Sequence, residues 1–124
     1  MLNDIGTYLQ AQGVGTVETD IFLGLMPDQP DNCIALFEYA GSPPDLHWNG
    51  EYPGLQVRVR NKSYAAARTK IGEVINKLHG LHEQTLSGTR YLLIKARGSP
   101  EVLKRDNNNR VVLFVNFDII KERD

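Results

Sequence analysis

One stretch near the C-terminus limits most strongly what this chain can become. In Arg110–Ile120 (RVVLFVNFDII), Val111, Leu113, Val115, Phe117 and Ile119 alternate with Val112, Phe114, Asn116 and Asp118. A two-residue period puts each set on its own face of an extended backbone, the pattern of a long strand with one face in a core. On a helix the same residues would scatter around the axis. Leu55–Arg60 repeats the pattern, with Leu55, Val57 and Val59 on one side and Gln56, Arg58 and Arg60 on the other. A sheet built around these two strands is the first requirement on the fold.

The remaining elements follow from local signals. Leu2, Ile5 and Leu9 recur at helical spacing until Gly13 and Gly15 stop them, which predicts a short N-terminal helix. Asp20–Met26 (DIFLGLM) and Asn32–Tyr39 (NCIALFEY) read as strands around a PDQP turn, together a hairpin or near-hairpin. Residues 41–54 hold three Gly and three Pro, so irregular structure is expected there. This segment also carries Trp48 and Tyr52, aromatics of the kind that anchor interfaces, or in the case of Trp48 lid a core. Ser63 is placed to cap a helix whose apolar stripe runs through Tyr64, Ala67, Ile71, Val74, Ile75, Leu78 and Leu81. Gly80 is its expected stop. Arg90–Arg97 reads as a strand, and Glu101–Arg105 as a short edge strand or a helical turn. Asp106–Asn109 reads as a turn, and the charged tail Lys121–Asp124 as a frayed end. At 124 residues the chain has the length of a single domain, 1–124. The expected class is α+β: a mostly antiparallel sheet of five or six strands packed against a long amphipathic helix, with a short N-terminal helix.

Charge is distributed unevenly. The formal net charge is only −1, yet residues 1–57 contain eight carboxylates and no Lys or Arg, while all 14 cations fall in 58–124. Either the two stretches interleave in the fold, or they present opposite patches that meet between copies. Asp28 and Asp31 are the candidates for an acidic patch and Arg58 and Arg60 for a basic one. Trp48 and Tyr52 are candidate anchors between them. A contact of this kind weakens with salt.

Few residues point to catalysis. His79, His82 and Glu83 (HGLHE) lack the spacing of a zinc site, and Gly80 interrupts the helix between the imidazoles. Cys33 lies in an apolar strand with no base implied beside it, and no phosphate-binding or dinucleotide-binding glycine motif occurs. No enzyme activity, metal or cofactor is expected. No basic leader followed by an apolar run opens the sequence, and no apolar stretch approaches the roughly 20 residues of a membrane span, so synthesis in a reducing cytoplasm without membrane contact is expected. Arg110, Phe114, Val115 and Phe117 match part of an RNA-recognition strand, which keeps a small nucleic-acid-binding α+β module as the alternative function.

Three segments carry a family resemblance: DIFLGLMPDQPDNCIALFEYAGSPPD at 20–45, LQVRVRNKSYAAARTKIGEVINKLHG at 55–80, and GSPEVLKRDNNNRVVLFVNFDI at 98–119. In this order and spacing they resemble the minor capsid or tail terminator proteins of long, non-contractile-tailed bacteriophages. The resemblance implies a virion structural protein at the head–tail junction, made in the host bacterial cytoplasm. It implies a ring, usually a hexamer, that ends polymerisation of the tail tube and presents a surface to the head. The implied partners are further copies of the chain, the tail tube protein and head–tail connector proteins. Genome DNA would pass through the lumen without specific binding.

Overall fold

The computed structural model describes residues 1–123; Asp124, the last residue of the expected frayed tail, lies outside them. The elements in chain order are α1 (Leu2–Ala11), β1 (Ile21–Leu23), β2 (Cys33–Ser42), β3 (Gly50–Asn61), α2 (Tyr64–Leu78), β4 (Leu81–Leu86), β5 (Thr89–Ala96), β6 (Glu101–Arg105) and β7 (Val111–Glu122). The seven strands form one sheet in the order β1-β2-β3-β7-β5-β4, with β6 also paired to β7. The two 12-residue strands read from alternation, β3 and β7, are central and pair antiparallel from Gly50↔Glu122 to Asn61↔Val111. β5 and β6 lie end to end along the other edge of β7, β5 against Phe117–Lys121 and β6 against Val111–Phe114.

The expected α+β arrangement is not the one formed. The chain is mostly strand, 46%, and only 20% helix, and its mixed sheet curls into a half-barrel with no long helix laid along it. Three local causes account for the difference. First, β1 and β2 pair in parallel, Ile21↔Ile34 to Leu23↔Leu36, so they are not a hairpin; residues 24–32 carry the chain back without a helix. Second, the stripe attributed to one long helix ends at Leu78. His79 caps α2, Gly80 takes φ +83, and Leu81 already belongs to β4, a strand that no alternation in LHEQTL announces. Third, β2 and β3 run well into the Gly/Pro-rich segment and leave only 43–49 as loop. Expectation and structure agree on the positions of α1, β3, β5, β7 and the Ser63 cap, whose Oγ accepts the Ala66 amide at 3.2 Å.

The core lies on one face of the sheet. Leu55, Val57 and Val59 of β3 and Val111, Leu113, Val115, Phe117 and Ile119 of β7 meet Ile5 and Leu9 of α1 and Ala67, Ile71, Val74 and Leu78 of α2. Each large apolar side chain so buried contributes about 1.5–3 kcal/mol. Tyr91 is fully buried among them and its hydroxyl donates to Asp4 at 2.7 Å, which ties α1 to β5. Tyr64, counted in the stripe, is half exposed. By the same alternation Phe37, Gln56, Arg58, Arg60, Val112, Phe114, Asn116 and Asp118 share the other face, away from both helices.

Candidate interaction surfaces at the two ends of the sheet

At the Asn61↔Val111 end, two arginines hold the 24–32 crossover. Arg60 projects from β3 onto the face away from the helices and is buried. Its Nε donates to the Asp31 carbonyl at 3.0 Å, and its Nη2 to the carbonyls of Pro27 (2.6 Å), Pro30 (2.6 Å) and Asp28 (3.3 Å). The crossover, with its cis Gln29–Pro30 peptide, has its backbone acceptors satisfied by one guanidinium. Arg110, just before β7, is also buried and pairs with Asp28 (2.9 Å), Asp31 (3.2 Å) and Asp106 (2.8 Å). Lys62 reaches the second oxygen of Asp31 at 3.2 Å. That hydrogen bond, followed by the field of Lys62 and the bonds of Arg110, outweighs burial and lowers the Asp31 pKa. Burial alone would raise Asp106, but hydrogen bonds from the Arg110 amide and side chain outweigh it, so its carboxyl too is held below the ordinary value.

Thus Asp28, Asp31 and Arg60 come together within one chain, and the acidic and basic stretches interleave here. Lys121 repeats the pattern at the opposite end: it is buried in β7 rather than frayed, and pairs with Glu51. Beside the crossover, Met26, Asp28, Phe37, Arg58, Arg60, Lys104, Asp106, Arg110 and Val112 line an open cleft of about 410 Å³. Arg58 lies over the Phe37 ring at 4.6 Å from its centroid and donates to Gln56 at 2.7 Å. β6 borders the same region with all five residues exposed, among them Val102 and Leu103.

At the Gly50↔Glu122 end, the β2–β3 connection forms an ordered tip. The Trp48 Nε1 donates to the Tyr52 hydroxyl at 3.1 Å, and Tyr52 donates to Asp45 Oδ2 at 2.7 Å. The other Asp45 oxygen accepts the His47 amide at 2.8 Å. These contacts, the His47 amide first, lower the Asp45 pKa, while the bond to that carboxylate raises the Tyr52 phenol. The Trp48 and Tyr52 rings meet edge-on at 6.5 Å, and the indole lies where a side chain at position 50 would stand, which explains Gly50. Arg123 donates to the Asn49 side chain at 3.1 Å and fixes the base of the loop. Trp48 is therefore no lid on the core; it braces a turn that leaves Leu46 93% exposed.

Of the six candidate residues, Trp48 and Tyr52 stand together at the tip, Arg58, Arg60 and Asp28 line the cleft at the other end, and Asp31 pairs with Arg110 and Lys62 beside it. The sequence reading named Arg110 only in the RNA-recognition match, and it missed Lys104 and Leu46. Arg110 had a local signal, an acid four residues earlier at the start of an Asn-rich turn. Leu46 had none, because one Leu in a Gly/Pro-rich loop does not announce its exposure. The residues matching an RNA-recognition strand do not share a face: Val115 and Phe117 are in the core, Phe114 is on the other face and Arg110 is in the ion cluster. Among the described residues, no group of three or more His, Cys, Asp or Glu is placed to hold a metal, and no helix is long and apolar enough to cross a membrane. Burial raises the thiol pKa of Cys33.

No curated protein matches the chain. Among solved structures, a chain in the virion of a native gene transfer agent particle has a similar fold, with a TM-score of 0.65 over 85% of this chain and 80% of that one, at 17% identity. The family model for bacteriophage tail terminator proteins matches residues 8–123, from α1 to the end of β7. The chain belongs to the bacteriophage tail terminator family, and is a structural protein of the phage virion.

Proposed function

We propose that this protein closes the head-proximal end of a phage tail tube. As one domain over residues 1–124, it assembles into a ring of six copies that ends tube polymerisation and offers the opposite face to the head–tail connector. The observation that carries this reading is the family match across residues 8–123. The surface supports it: a braced aromatic tip with Trp48 and Tyr52 at one end of the sheet, and at the other a charged cleft lined by Arg58, Arg60 and Asp28, with Asp31 paired to its Arg110. Two dissimilar surfaces on one subunit are what a heterologous, ring-closing interface requires. The role is structural and asks for no catalytic group or cofactor. Genome DNA passes through the lumen without specific binding. The protein is made in the host cytoplasm and ends at the head–tail junction.

Tail tubes polymerised with and without the purified protein, imaged by negative-stain electron microscopy, test this. The expected result is density at one tube end and an end to further growth. Tubes that elongate unchanged, with no density at either end, contradict it.

A further inference from the structure

The tip at one end of the sheet and the cleft at the other are complementary, and we infer that the Leu46 tip of one copy docks in the Arg58–Lys104 cleft of the next. This rests on the ring reading above and names the contact that builds the ring.

The tip offers an apolar knob on an acidic turn. Within residues 40–52 the charged side chains are Asp45 and Glu51, and Lys121 pairs with Glu51, so Asp45 is the acid the tip presents. Asp45 is held ionised by the His47 amide and the Tyr52 hydroxyl. Leu46 stands 93% exposed beside it, and a leucine fixed in that position by a braced turn contributes nothing to its own chain's core. The bracing keeps the ordering cost of docking low, because Trp48, Tyr52 and Asp45 already hold the turn.

The cleft offers the counterpart. Its lining holds Arg58, Arg60, Lys104 and Arg110 with Asp28 and Asp106; Arg110 is paired with Asp28, Asp31 and Asp106, which leaves Arg58, Arg60 and Lys104 as the surplus cations, and the part-buried Met26 and Phe37 supply an apolar floor. Arg60 donates to backbone carbonyls rather than to carboxylates, so its positive charge is left uncancelled by those bonds. Lys104 is exposed on the cleft's rim. A carboxylate beside a leucine fits this lining: the leucine meets the floor and Asp45 meets Arg58 or Lys104.

The two surfaces lie toward opposite ends of β3 and β7: Arg58 and Arg60 of the cleft stand eight and ten residue steps along β3 from Gly50 at the base of the tip, roughly 26–33 Å at about 3.3 Å per step. A subunit therefore cannot fill its own cleft. Docking one end of a copy on the other end of its neighbour is heterologous, and it makes a closed ring when the rotation per copy closes.

The test uses Leu46→Lys and Lys104→Glu, two substitutions at exposed positions, scored for capping of tail tubes by electron microscopy. Leu46→Lys drives a cation toward the cationic cleft and should lower capping by roughly tenfold or more at fixed concentration, as for an interface hot spot. Lys104→Glu should also weaken capping. The double variant restores an opposite-charge pair and should recover most of the activity. In parallel, a Leu46→Cys, Lys104→Cys variant oxidised on tubes should give a ladder of covalent multimers on a non-reducing gel. Each single-cysteine variant should give none beyond a dimer, with Cys33 silent because it is buried. If the parent caps tubes but both charge variants cap equally well and no ladder forms, the tip-in-cleft contact is wrong and the terminator reading stands. Cross-linking of position 46 to the tube protein would likewise overturn the contact. If the parent itself fails to cap, the terminator reading falls, and this contact with it.

Discussion

At the residue scale, Arg60 shows how one side chain can serve several backbone groups. A crossover between parallel strands that has no helix leaves its carbonyls without a ladder partner. Arg60 supplies four of them from one buried guanidinium. Replacing it with Ala leaves those part-buried acceptors without their donor and is expected to cost about 2–4 kcal/mol, read as a lower urea midpoint. Lys is no substitute, because a point ammonium cannot reproduce the fork that spans Pro27 to Asp31. A midpoint equal to the parent's for Arg60→Ala would show that the crossover holds itself. Reversing the charge at Arg60 therefore tests folding first and docking second, whereas the exposed Lys104 is the cleaner probe of a surface. The carboxylates add a pH dependence. Asp31, Asp45 and Asp106 all have folded-state pKa values below the ordinary 3.8. Their contribution is thus fully present above pH 3.8 and is lost as the pH falls below it through the depressed values. Urea midpoints measured from pH 5 down to pH 2 should fall across that lower range, and a midpoint that holds or rises there contradicts the assignment.

At the element scale, the glycines of the 41–54 segment are read most easily as signs of flexibility, and the structure gives them a different task. Tyr39 of β2 lies across β3 over Gly54, and its hydroxyl donates to the Phe117 carbonyl of β7 at 3.1 Å. A Cβ at position 54 would come within 2.5 Å of that ring, so the glycine is there for close approach inside a regular strand. The Gly54→Ala variant is expected to lose about 1–3 kcal/mol as the ring is displaced. Gly72 is the contrast: it sits inside α2 with nothing within 4 Å of an added Cβ, and Gly72→Ala should raise stability by about 0.5–1 kcal/mol through helix propensity. Thermal denaturation of the two variants beside the parent checks both signs at once, and two shifts of the same sign would contradict the assignment. The sheet's outer strands are also guarded element by element. The Ile21 amide and carbonyl are taken by Thr16 and Glu18, and β4 is distorted at Glu83 with φ +49.

At the scale of the whole molecule, the parts legible in the sequence were those with a strong local period. The alternation in Val111–Ile119 and Leu55–Arg60 located the two central strands, and the Ala67, Ile71, Val74, Leu78 spacing located α2. What was not legible depends on partners distant in sequence. No local pattern says that β1 runs parallel to β2, since a short apolar strand reads the same in either direction. LHEQTL hides β4 because its middle residues are exposed at the sheet's outer edge, so no apolar alternation is required of them. The charge split was legible as arithmetic but not as geometry: Arg110 with Asp28 and Asp31, and Lys121 with Glu51, join the acidic and basic stretches within the chain. What the proposed ring can use between copies is a tip that carries Asp45 and a cleft lined by more cations than carboxylates. Whether copies of this chain close one end of a tail tube is decided by cryo-electron microscopy of tube ends formed in its presence. One sixfold ring of this protein is expected at a single end of each tube. Protein bound along the tube wall, or tube ends carrying no ring, would contradict it.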